Sequence, residues 1–174
     1  MIRKFFTPKV LVILGIVLFA ALMRLVPHYP NFTPIGALAL FAGAHFTNRW
    51  LALSIPIAAL LFSDLLLGFH DMMVPVYISF VLVVLIGGLL RNNVKIVSVG
   101  GGAIAGSLVF FVLTNLAVWL SGTMYPTTVQ GLVQCYVAAI PFFHMTLLGD
   151  LFYSGVLFGG FYLIQQYYPA LKRA

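Results

Sequence analysis

From Ile96 to Leu120 the chain runs without one charged side chain, and five further apolar stretches each hold at most one. Uncharged runs of that length cannot be hidden in a water-soluble fold of this size. A helix needs roughly 20 apolar residues to cross the ~30 Å hydrocarbon core, and within lipid only helices and closed barrels satisfy their own backbone. The stretches fall at about 10–26, 34–47, 50–68, 74–90, 96–120 and 141–165. Composition agrees: 63% of the 174 residues are hydrophobic and 7% charged, against about 25% charged in an ordinary soluble domain. The expected fold is an all-α polytopic bundle of about six transmembrane helices, a single domain over 1–174, with no room for a separate catalytic domain.

The second stretch is short and follows Pro27, His28, Tyr29, Pro30, Asn31, Phe32, Thr33 and Pro34. Three prolines there forbid regular helix and favour extended chain, which must be wetted or covered by protein. A further segment at about 127–140 carries Gln130, Gln134 and Cys135 and ends at Pro141. It is too short and polar to span, so it is expected to lie as an outer amphipathic segment. The first stretch has the charge layout of a secretory signal, but Leu18 stands where a cleavage site needs a small residue, so it is expected to remain as a span.

The net charge of +6 comes from lysines and arginines scattered at segment ends, not from a basic stripe, so nucleic acid is not an expected partner. Arg3, Lys4, Lys9, Arg49, Arg91, Lys95, Lys172 and Arg173 fall at one set of alternating ends, and Arg24 alone at the other. The positive-inside rule then predicts both termini in the cytoplasm. With Cys135 the only cysteine, neither a disulfide framework nor a cysteine zinc site is available within one chain.

That orientation gathers the polar and aromatic residues on the non-cytoplasmic side: Asn31 in the first outer loop, His70 in the second, Tyr125 in the third. Asp64 sits about one turn below that surface, Asn115 and Trp119 share a face at i and i+4, and His144 enters at a similar level. Asp150 falls about 13 Å beyond Pro141, near mid-bilayer. A carboxylate in hydrocarbon is costly unless paired, protonated or wet, so both aspartates are expected to face the bundle interior. Two readings of Asp64 stand side by side: ligand contact in an outward-facing pocket, or a structural ion pair with Arg24. The spacing of His28, His70 and His144 does not demand a metal, and neither metal nor cofactor is expected. Ala39 with Gly43, Gly102 with Gly106, and Gly155 with Gly159 repeat at four residues, which lets helices approach closely.

Enzyme signatures are missing. Leu147-Leu148-Gly149-Asp150 lacks the first glycine of an intramembrane aspartyl protease run, and there is no Gly-x-Ser-x-Gly, His-Glu-x-x-His or P-loop. No enzymatic activity is expected.

Three blocks carry a resemblance: Arg24 to Ala44 (with His28, Asn31, Pro34 and Gly43), Ser63-Asp64 through Gly68-Phe69-His70, and Ala139 through Pro141 to His144. They resemble a family of uncharacterised small bacterial membrane proteins whose layout is similar to the substrate-binding S components of energy-coupling-factor (ECF) vitamin transporters. The resemblance implies six helices, an outer pocket closed by loops, a vitamin-like ligand, and a bacterial inner-membrane location. It further implies a transmembrane coupling subunit and cytoplasmic ATPases as partners. Many S components carry Ala-x-x-x-Ala in the first helix, whereas Gly15 is followed by Phe19 here, which argues against docking on that face. On this reading Asn31, Phe32, Asp64, His70, Asn115, Trp119, Tyr125, His144 and Asp150 contact the ligand, Phe32, Trp119 and Tyr125 by stacking. The other reading is a non-transporting scaffold of a cell-envelope or cell-shape complex, which needs no pocket.

Overall fold

The computed structural model describes residues 8–26 and 29–167, and contains no strand among them. Arg3, Lys4, His28, Lys172 and Arg173 therefore lie outside the described residues. Six helices follow in order: α1 (Pro8–Leu25), α2 (Ile35–His45), α3 (Arg49–Leu67), α4 (Met73–Leu90), α5 (Ile96–Leu120) and α6 (Val129–Tyr167). Helices α3 to α6 are each long and apolar enough to cross a membrane. The chain is a multi-pass helical membrane bundle.

Local chemistry sets the ends. The Asn48 side chain accepts from the backbone N–H groups of Trp50 and Leu51 and so caps α3, satisfying donors that a helix start leaves free. Gly68, at φ 99°, closes the same helix, in backbone space a side chain rarely enters. Asn31 adopts φ 66°, which asparagine tolerates better than most residues. It turns the chain from the proline-rich segment toward α2.

Helix α2 is the axis of the molecule. Every residue from Ile35 to Ala44 is buried, and the helix packs against all five others. Eleven residues extend only about 16 Å, roughly half a hydrocarbon core. The other half of that track is filled by the irregular chain at 29–34, covered by α6: the Phe32 ring lies 5.5 Å from Tyr153 and 5.9 Å from Phe152. Gly149 gives the space, since a side chain there would press on the Phe32 backbone.

Helices α2 and α4 meet backbone to backbone. A Cβ on Gly43 would collide with the Val84 carbonyl, and one on Gly87 with the Leu40 carbonyl, so two glycines let the two helices cross in backbone contact. Gly102 and Gly106 are filled against Leu40, Leu90 and Val83. Gly155 and Gly159 differ: nothing stands within 4 Å of the position of an added Cβ, and that pair faces outward.

The segment 127–140 is not a separate surface element. Its residues from Val129 onward form the start of α6, which runs unbroken for 39 residues through Pro141. Proline removes a single backbone donor, and the neighbouring α5 holds both sides of the gap. Phe111 packs 5.4 Å from Tyr136 before the proline and 4.9 Å from Phe143 after it, while the Tyr136 hydroxyl donates to the Val112 carbonyl. At about 58 Å, α6 is far longer than one crossing requires.

Candidate functional site

The half-length of α2 leaves a cavity of about 210 Å³ beyond its first turn. Its polar wall is Arg24, Asn31, Thr33, His70, Thr146 and Asp150; its apolar wall includes Ile35, Leu60, Val76, Phe80 and Phe110. All six helices and two connections thus converge on one hollow. It is smaller than the roughly 300–1,000 Å³ of pockets for drug-sized ligands.

Asp150 forms the floor. It is 6% exposed, and its Oδ2 shares a 2.6 Å hydrogen bond with the Ser107 hydroxyl of α5, which also reaches the Ala103 carbonyl at 3.0 Å. Its Oδ1 lies against Gly36, where any side chain would overlap the carboxyl group. Gly36 stands in the first turn of α2, so the carboxylate sits at the positive end of that helix. The lack of a Cβ at residue 36 is what allows the approach.

Arg24 lines the upper wall and forms an ion pair with Asp64, Nη1 to Oδ1 at 2.7 Å. The same nitrogen donates to Ser63 Oγ at 2.7 Å, and Tyr77 donates to Asp64 Oδ2 at 2.9 Å. Asp64 itself is 1% exposed and does not line the cavity. Of the two readings of Asp64, the ion pair is the one the structure contains. A carboxylate this deep is tolerable because each oxygen has a partner.

Of the nine residues expected around a ligand, Asn31, His70 and Asp150 line the cavity. Phe32 and Asp64 stand behind it, the first clamping the loop to α6 and the second holding Arg24. The structure places Asn115, Trp119, Tyr125 and His144 elsewhere. Asn115 Nδ2 donates to Phe111 in its own helix, and its carbonyl accepts from Cys135. Trp119 Nε1 donates to the carbonyls of Pro126 and Thr128, which ties down the α5–α6 connection where Tyr125 lies. These two residues do share a face, but it is turned toward the start of α6. His144 is exposed, two residues before Thr146 and so about 200° around α6 from the cavity face.

Several contributors were not singled out from sequence. Thr146 stands one turn before Asp150 on α6, so a hydroxyl-bearing residue one turn from an aspartate was an available signal, whereas Ser107 and Phe110 on α5 carry none. Phe80, Tyr77 and Gly36 carry no such mark, because each is one apolar or small residue among many.

No group of three or more histidine, cysteine or acidic side chains is arranged to hold a metal among the described residues. No curated protein and no solved structure matches the chain. A family model described as "Family of unknown function (DUF6580)" matches residues 4–171, nearly the full length, and the protein belongs to that family.

Proposed function

We propose that the protein is a substrate-binding membrane subunit for uptake of a small vitamin-like solute, working by capture and release without covalent chemistry. The observation that carries this reading is the cavity itself: about 210 Å³, with a buried carboxylate at its floor and a half-length helix ending on it. A bundle built only as a scaffold gains nothing from stopping its central helix at mid-depth. Transporter sites place a broken helix and a few convergent polar groups in the same way.

Charge supports an orientation. Arg49, Arg91 and Lys95 stand at the helix ends remote from the cavity, so the positive-inside rule turns the cavity outward from a bacterial inner membrane, with both termini cytoplasmic. Six helices around an outward cavity suit the S-component-like reading. Energy for release would come from a transmembrane coupling subunit and cytoplasmic ATPases.

Thermal unfolding of the detergent-purified protein against a panel of small vitamins and their precursors tests the reading. A ligand at 100 times its dissociation constant adds about 2.7 kcal/mol to stability. The shift is expected for the full-length protein and not for Val76→Phe, which fills the cavity while sparing its polar groups. A panel that leaves the melting temperature unmoved would favour the scaffold.

A further inference from the structure

The charges around the cavity do not cancel. Arg24 is neutralised by Asp64 at 2.7 Å, and His70 stands exposed at the mouth. Asp150 has no cationic partner among the described residues; its one hydrogen bond, through Oδ2, is with the neutral Ser107 hydroxyl. The first turn of α2 beside Oδ1 lends a partial positive charge, which steadies the carboxylate without neutralising it. Whenever it is ionised, a carboxylate that is 6% exposed and borders this open-mouthed cavity is one positive charge short, and a cation entering the cavity supplies it.

Two aromatic rings complete the chemistry. Phe80 and Phe110 both line the cavity and pack with their centroids 5.2 Å apart. Aromatic faces attract cations held within about 6 Å of the ring, and they bury an apolar body equally well. We propose that the solute is a small organic cation, its charged nitrogen held by Asp150 and its carbon body packed against Phe80 and Phe110. The proposal rests on the binding-subunit reading and names the class of its ligand. Cavity size sets the scale of the molecule, and Thr146, one turn from Asp150, offers a hydroxyl acceptor beside the nitrogen.

The test compares probes of similar size and different charge on the full-length protein in detergent: benzylammonium and tetramethylammonium against benzyl alcohol and benzoate, all at millimolar concentration. The two cations are expected to raise the melting temperature, and the alcohol and carboxylate to leave it unmoved. Asp150→Asn keeps an acceptor for Ser107 and is expected to fold, with affinity for the cations weakened at least roughly tenfold. Phe110→Leu is expected to weaken tetramethylammonium several-fold and Phe110→Tyr to restore it, so the aromatic part is read even if the Asp150 variant does not fold. Stabilisation by benzoate or a neutral vitamin that persists in Asp150→Asn would overturn the cation while leaving the binding subunit intact. Probes and vitamins of every charge failing alike would overturn both.

Discussion

Helix α2 ends in two opposite ways. At its C-terminus Arg91 of the α4–α5 connection donates to the carbonyls of Gly43 at 3.2 Å and Phe46 at 2.6 Å, and glycines bring α2 and α4 into backbone contact. At its N-terminus a carboxylate stands beside the first turn and a cavity opens. Both ends meet charge of the sign that complements the helix dipole. One is closed by close packing and bonded carbonyls; the other keeps space and a carboxylate oxygen with no hydrogen bond from the described residues. The difference teaches that this fold can hold one end of a central helix by close packing and leave a cavity at the other.

Three variants press on that contrast. The largest effect is expected at the cavity end, from Asp64→Ala, which leaves the part-buried Arg24 guanidinium without its anion. Breaking a buried pair in this way costs about 3–5 kcal/mol. Unfolding in mixed micelles measures it, and a small loss would mean that water reaches Arg24 and the cavity end is looser than its contacts indicate. Replacing both partners by apolar residues of similar size is expected to recover most of the loss.

At the other end, Gly87→Ala forces a methyl group onto the Leu40 carbonyl. Overpacking of this kind costs about 1–3 kcal/mol, and the same unfolding measurement should find it whether or not a solute is present. A neutral effect would show that α4 slides on α2 and that this end is not the rigid one. The smallest change is expected for Arg91→Met, which removes two bonds to helix-end carbonyls and the complementary charge, about 1–2 kcal/mol. Its loss should not alter ligand affinity; if affinity falls, the two ends are coupled through α2.

Much of the fold could be read along the chain. Long uncharged runs imply spans, and Asn48, Gly68 and the three prolines mark where helices start, stop or cannot form, because capping and backbone freedom act over a few residues. Pro141 was misleading as a boundary for the same reason: the missing donor is local, whereas the packing of Phe111 on both sides of it is not. The candidate site was legible in part. Asp150, His70 and Asn31 stood out because a polar group in or near lipid is costly wherever it faces. Asn115, Trp119 and His144 stood out equally and lie elsewhere.

Sequence alone thus determined the membrane-spanning character, the six helices and the burial of two aspartates, all of which follow from the cost of placing charge or unbonded backbone in hydrocarbon. Tertiary structure alone decided that Arg24 meets Asp64, that α2 is central and half-length, and that Gly36 admits Asp150 to its first turn. In a bundle whose helices are apolar on lipid-facing and protein-facing sides alike, hydrophobicity does not fix rotation about a helix axis. Close contact between small residues does, and such contacts exist only once the helices have packed.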